Sequence, residues 1–422
     1  MPLVGLPSGS DMTERKTFYF DNNATTRVAP EVVEAMLPFL RDFWGNPSSA
    51  YSFGSQVAKR VEEAREQVAA LIGAEPKEII FTSCGTESNN AVLQSALATQ
   101  PGKRHILTTA VEHSAIIRHC EVLRKQGCDV TFLPVDAEGA LDLHLLDQSI
   151  RTETAVVSVM WANNETGVVF PIEEIAAICR SRHVLFHTDA TQAPGKLKLD
   201  VGEVGADFLT LSAHKLHAPK GIGLLYVRRR TKFQPYLIGG HQERGKRGGT
   251  ENVASIVGFG RAAELALTRL EDENTRVRAL RDRLENTILR VVPNTRRNGA
   301  KEPRLPNTSN IAFDFVEAEG ILLKLDELGI CVSSGSACTT GSLNPSHVMT
   351  AMGIKPARAK GCVRFSLGVY NTDEEVDYLL THLPQVIARL REASPEKPAR
   401  HAKTLSDLAP VVLSQCLPSL QK

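Results

Sequence analysis

The chain has no run of about 18 apolar residues, no Cys-x-x-Cys pair, no internal repeat and almost no net charge, about +1 over 422 residues. Each absence excludes a class. Without a long apolar run no transmembrane helix is expected. A charge balance near zero gives no support for nucleic-acid binding or a basic membrane surface. The eight cysteines are scattered, which argues against a disulfide framework or a zinc site and for a reducing, cytoplasmic setting. The opening MPLVGLPSGSDMTERKT has no charged segment ahead of an apolar core, so it is not expected to be a secretory signal.

Hydrophobic residues at 42% and charged residues at 23% are enough for a packed core, and the length favours two domains. From 18 to 260 short β-rich runs alternate with helical patterns. The runs are EIIFTS, RHILTTA, DVTFLPV, TAVVSVMWA, HVLFHTDA, ADFLTLSA and GIGLLYV. Continuous apolar strands separated by helices predict an α/β domain with a largely parallel sheet covered on both faces. A long charged helix over roughly 254–292 would then lead into a smaller α+β domain, 261–393, with strands in NTSNIAFDF, ICVSSGSA and CVRFSLG. The N-terminal segment is a candidate to pack on that domain too. Residues 1–17 read as a disordered lead and 394–422 as a loose polar tail.

Polar and glycine residues cluster after several strands, where open α/β sheets place their ligands. In LTLSAHKLHAPKGIG, Lys215 leaves a strand beside Ser212 and His214. A desolvated lysine amine is a nucleophile suited to a carbonyl cofactor. An ordinary loop lysine would leave the Ser-Ala-His-Lys cluster unexplained. In FHTDATQAPGK, Asp189 ends an apolar run and Gln192 follows three residues later. A buried carboxylate needs a cation, for which a protonated pyridine nitrogen would serve; a helix cap is the other reading. In FTSCGTESNN, the amides of Gly85 and Thr86 open a helix and could face an anion, or Thr86 could simply cap it. His113, in TAVEHSAI, could stack on a planar ring and move protons, or be structural.

Cys338 lies among small and hydroxylic residues in SSGSACTTGSLNPSH, where a thiol can ionise and react, unlike a core cysteine. Arg364, between apolar neighbours in CVRFSLG, calls for a carboxylate, from a substrate or from a structural ion pair.

Together, the blocks DNNATT, GNPSS, FTSCGTES, VEH, ANNETG, HTDATQ, SAHKLHAPKG, GGHQERGKRGGTEN, LPNTSNIAF and SSGSACTTGS resemble the class V, fold-type I family of PLP-dependent enzymes. Within it they resemble the cysteine desulfurases of the NifS/IscS group, from about residue 19 to about 390, with details nearer NifS. The resemblance implies that Lys215 forms the Schiff base with pyridoxal 5'-phosphate, Asp189 pairs with its ring nitrogen and Gln192 donates to its phenolate oxygen. It also implies that His113 stacks on the ring and that Gly85, Thr86, Ser212 and His214 hold the phosphate. Thr250 would reach the cofactor of the partner subunit in a homodimer. Asn164, beside the cofactor, and Arg364 would grip the carboxylate of L-cysteine. Cys338 would accept the sulfur as a persulfide, itself a candidate metal ligand, and pass it to an iron–sulfur scaffold protein, with nitrogenase maturation the implied destination. Rival readings are a selenocysteine lyase, a plain class V aminotransferase and a non-catalytic assembly scaffold.

Overall fold

The computed structural model describes residues 16–334 and 345–394. The expected lead up to residue 15, the expected tail from 395, and the segment 335–344 with Cys338 lie outside the described residues.

Strand β1 (Phe18–Tyr19) stands apart from the main sheet. That sheet is built from β2 (Ile79–Thr82), β3 (His105–Thr109), β4 (Asp129–Leu133), β5 (Thr154–Ser158), β6 (Leu185–Asp189), β7 (Phe208–Ser212) and β8 (Gly223–Val227). The order is β2-β8-β7-β6-β5-β3-β4, and all neighbours are parallel except the two pairs that β8 makes. Strands β2, β3, β5, β7 and β8 are buried at every position, as strands covered on both faces must be. The cover comes from α1 (Pro30–Arg41), α2 (Ser52–Leu71), α3 (Gly85–Thr99), α4 (Ser114–Lys125), α5 (Leu143–Ser149), α6 (Ile172–Ser181), α7 (Val201–Val204) and α8 (Val253–Thr268). Helix α8 packs along α1 and α2. Gly260 permits this approach, since a Cβ there would lie 2.8 Å from the Ala64 Cα.

The single helix expected over 254–292 is interrupted. Helix α8 stops at Thr268, Arg269 leaves helical geometry at φ −96° and ψ 0°, and a π turn spans Glu273–Val277 before a helix resumes over Arg278–Val291. Apolar periodicity cannot reveal such a break, because both halves bury apolar faces, each against a different core.

The second core joins Phe18 and Phe20 to Val277, Leu284, Phe313, Phe365 and Leu383. Its sheet is antiparallel, in the order β12 (Cys362–Ser366), β10 (Thr308–Phe313), β9 (Thr295–Arg297). Strand β1 pairs in parallel with β11 (Ile330–Cys331), so Phe18 and Tyr19 belong to this second unit before the chain crosses to the main sheet. Of the run ICVSSGSA, two residues form the strand.

Candidate active site

The parallel strands deliver the predicted residues to one edge of the main sheet. Lys215 closes a 3-10 turn, Ala213–Lys215, directly after β7. Its Nζ donates to the carbonyls of Asn23 and Ala24, both at 2.6 Å. Gln192 Nε2 donates to the same Asn23 carbonyl at 3.0 Å. Asn23 thus gathers the lysine and the glutamine, while its own side chain donates to Thr308 Oγ1 at 2.8 Å and to the Asn164 carbonyl at 3.1 Å. One N-terminal residue ties the lysine turn to the second core.

Asp189, the last residue of β6, is 5% exposed. Its Oδ2 accepts from Asn89 Nδ2 at 2.7 Å and its Oδ1 from the Thr191 amide at 3.0 Å. Two strand positions earlier, on the same face, His187 shares a 2.8 Å hydrogen bond with Ser158, and burial pushes its pKa down to about 4 against the pull of Asp189. The ring is therefore neutral at ordinary pH and leaves Asp189 to seek its cation elsewhere.

Gly85 opens α3 after Cys84, whose extended backbone ends the β2 connection without a side-chain cap. First-turn amides of a helix have no intrahelical partner. A Cβ at Gly85 would sit 3.1 Å from Thr191 Oγ1 and 3.5 Å from Ser212 Cβ, so the helix start, Thr191 and the end of β7 converge on one small space. Thr86 is exposed in that first turn, and Ser212 is buried at the strand end. His214 Nδ1 lies 3.0 Å from Thr25 Oγ1, and burial, with Lys215 and Lys220 nearby, pushes its pKa down to about 4. Uncapped amides, hydroxyls and a neutral imidazole make an anion cradle. PLP fits this set: a phosphate has a cradle, a carbonyl has Lys215, and a ring nitrogen has the buried Asp189. Gln192 fits less directly, since its amide nitrogen is engaged with Asn23 and its Oε1 is buried without a partner among the described residues.

His113 follows β3 as the N-cap of α4, and its Nδ1 accepts from the Ala115 amide at 3.2 Å. That bond leaves Nε2 as the protonated nitrogen of the neutral ring. The preceding Glu112 is wholly buried. It accepts from Thr109 Oγ1 and the Met160 amide, yet burial still raises its pKa to about 8.

Arg364, on β12, is 1% exposed. Its Nη2 donates to Asp21 Oδ1 at 2.6 Å and its Nη1 to the Asn164 carbonyl at 3.0 Å, while its Nε has no partner among the described residues. The guanidinium therefore meets Asn164 beside the lysine turn, with Asp21 occupying one arm. Thr250 is exposed after Gly249 and makes no hydrogen bond among the described residues, so it stands apart from this set. Cys338 lies outside the described residues, but both flanks reach the site. Ser333 pairs with the backbone of Arg364, and Ser346 Oγ donates to Glu165 Oε2 at 2.6 Å.

Sequence reasoning assigned no role to Asn23, Asn89 or Asp21. DNNATT was visible as a block, and Asn89 lies one helical turn beyond Gly85, which was the available signal.

A strand-end lysine, a buried carboxylate and a helix-capped anion cradle, with an arginine from a second unit, define an α/β enzyme built around an anionic carbonyl cofactor. The chain belongs to the aminotransferase class-V family, whose profile matches residues 18–379, and that family is PLP-dependent. It is 55% identical over 379 residues to a cysteine desulfurase of Trichormus azollae, covering 90% of this chain and 95% of that protein. It is 54% identical over 378 residues to the cysteine desulfurase NifS of Azotobacter vinelandii, covering 89% and 94%. A solved NifS-like protein superposes with a TM-score of 0.84 at 38% identity, over 89% of this chain and all of that one. No described helix is long and apolar enough to cross a membrane.

Proposed function

We propose that this protein is a cysteine desulfurase that converts L-cysteine to L-alanine and carries the sulfur on Cys338 as a persulfide. The observation that supports it most is the convergence of Lys215 and Arg364 through Asn23 and Asn164. An amine-bearing site and a carboxylate-binding guanidinium are joined there by two hydrogen-bonded residues.

PLP would supply an electron sink for the α-carbon. Lys215 would anchor it and, once displaced, move the α-proton. Asp189, held by Asn89 and the Thr191 amide, would keep its charge aimed at the ring nitrogen. Gly85, Thr86, Ser212 and His214 would hold the phosphate, and Gln192, once turned from Asn23, would donate to the ring oxygen. Arg364 would release Asp21 to take the substrate carboxylate bidentately, beside Asn164. The neutral His113, protonated on Nε2, can stack on the ring and give or take a proton at the substrate thiol. The Cys338 thiolate attacks the substrate sulfur. An S–S bond forms, the Cβ–S bond breaks with its electron pair going to the substrate carbon, and protonation yields alanine.

The organisation proposed with this function is a large cofactor domain, 18–260, a small domain, 261–393, and a cytoplasmic homodimer in which Thr250 reaches the partner's site. An iron–sulfur scaffold protein would take the sulfur, with nitrogenase maturation favoured by the likeness to NifS. The persulfide on Cys338 is the proposed contact with metal.

Purified protein incubated with L-cysteine tests this. Wild type should release alanine and sulfide, and Cys338→Ala should lose both while keeping its yellow cofactor. Full activity in Cys338→Ala removes the persulfide carrier. A yellow wild type inert to L-cysteine removes the substrate and sends the search to selenocysteine.

A further inference from the structure

Glu165 has no part in the set above, yet it sits at its centre. It follows Asn164 in the loop after β5 and is 3% exposed. Its amide donates to Asn163 Oδ1 at 2.9 Å, and its carbonyl accepts from Asn310 Nδ2 of β10 at 3.2 Å. The Asn163 side chain in turn donates to the Val111 carbonyl at 3.0 Å. The backbone of Glu165 is therefore clamped between the end of β3 and the second core.

The carboxylate is directed at another segment. Oε2 accepts from Ser346 Oγ at 2.6 Å. Burial pushes the carboxyl pKa up, against the pull of Ser346, His347, Arg364 and His113, so the group is surrounded by residues of the substrate end. Next to Ser346, His347 Nε2 lies 2.8 Å from the Glu112 carbonyl. On the other flank of residues 335–344, the Ser333 carbonyl accepts from the Arg364 amide at 2.6 Å and the Ser333 amide donates back at 3.2 Å. The two flanks are thus fastened to adjacent parts of the two units, Ser333 to Arg364 of β12 and Ser346 to Glu165 after β5. Asn164 joins these parts, since it precedes Glu165 and its carbonyl accepts from Arg364.

Burial makes ionising the Glu165 carboxyl costly, so its bond to Ser346 is a weak source of stability. Two anchors where the two units meet have a geometric consequence instead. They fix where the chain that carries Cys338 leaves and rejoins the body, relative to Arg364.

We propose that Glu165 is a positioning residue for sulfur transfer, holding Ser346 so that the chain bearing Cys338 is anchored to the Asn164–Arg364 substrate end. The proposal rests on the desulfurase reading above. A misplaced reacting group costs turnover without weakening substrate or cofactor binding, and displacements near 1 Å cost on the order of 100-fold.

The test compares wild type, Ser346→Ala, Ser346→Thr and Glu165→Gln, each loaded with PLP. Ser346→Ala should lower kcat for alanine release about tenfold or more, with KM for L-cysteine held within about twofold. Glu165→Gln leaves the Ser346 cap on the following helix intact and replaces the carboxyl acceptor by an amide that accepts less strongly, so its kcat should fall about threefold. Ser346→Thr keeps the hydroxyl and should recover most of the rate. Cofactor absorbance should stay at the wild-type level throughout, and the melting temperature of Glu165→Gln should match wild type.

Unchanged kcat in both Ser346→Ala and Glu165→Gln overturns the proposal. So does a rise in KM with kcat kept, which would assign Glu165 to substrate binding, or a loss of rate that follows loss of cofactor absorbance. If Ser346→Ala does not fold, Glu165→Gln and Ser346→Thr carry the same comparison. A wild type that releases no alanine from L-cysteine instead removes the desulfurase reading, and this one with it.

Discussion

Asn89 and Asp189 form a directed pair. Asn89 Nδ2 donates to Asp189 Oδ2 at 2.7 Å, while Asn89 Oδ1 accepts from Thr210 Oγ1 at 2.6 Å. A carboxylate only accepts, so the Asn89 amide nitrogen faces Asp189 and its oxygen is left to the Thr210 hydroxyl, which can donate. Asn89→Ala should leave a buried carboxylate without a charge-assisted bond worth about 1.5–3 kcal/mol, which corresponds to roughly 10- to 100-fold weaker PLP binding. Titrating the apoprotein with PLP by visible absorbance measures it, and unaltered affinity would remove Asn89 from the site.

Arg364 donates along two directions, to Asp21 and to Asn164. A lysine has a single point charge and no planar fork. Arg364→Lys should therefore raise KM for L-cysteine roughly tenfold or more, with cofactor absorbance retained. A steady-state titration with L-cysteine reads it, and an unchanged KM would leave the arginine with its ion pair to Asp21 as its whole role.

Glu112 sets a pH dependence. Its pKa rises from 4.5 to about 8, chiefly through burial. A carboxyl raised in the folded state contributes stability that is fully present below the unfolded value and is lost as pH rises through the folded one. That window runs from near pH 4.5 to near pH 8. Glu112→Gln, neutral throughout, should melt close to wild type at pH 5 and above it at pH 8.5. Thermal melts at the two values decide the sign, and a gap that is constant with pH would mean Glu112 is ionised alike in both states.

Stability away from the site rests in part on a buried ion pair. Arg65 donates to both oxygens of Glu243, at 2.7 and 2.9 Å, and Glu243 also accepts from the Phe81 amide at 3.0 Å. Both side chains are 3% exposed. Glu243→Ala should cost about 3–5 kcal/mol, because it takes from the guanidinium its buried bidentate partner and leaves it the Ile79 carbonyl and the exposed Glu62, whereas the double change Arg65→Met with Glu243→Leu should cost less than the single one. Urea unfolding of the three proteins tests the order.

The strands of the main sheet and the chemistry that follows them were legible in the sequence. Each buried parallel strand is a short apolar run, and the candidate site residues come at or just after its end, so Lys215, Asp189 and His113 are local to the patterns that reveal them. The interruption at Arg269 was not legible, because a helix that passes from one core to another keeps its apolar face on both sides of the break.

By itself the sequence determined the α/β class and the strand positions, and it marked Lys215, Asp189 and the Gly85–Thr86 helix start as candidates for a cofactor site. Tertiary structure alone decided what those groups touch. Asn23 meets Lys215 across 192 positions and Asp21 meets Arg364 across 343, while Ser346 meets Glu165 across 181. Such contacts have no local periodicity to announce them. The first two arise because β1 pairs with β11 in the second core before the chain enters the main sheet, which brings residues 21–24 to the lysine turn and to Arg364.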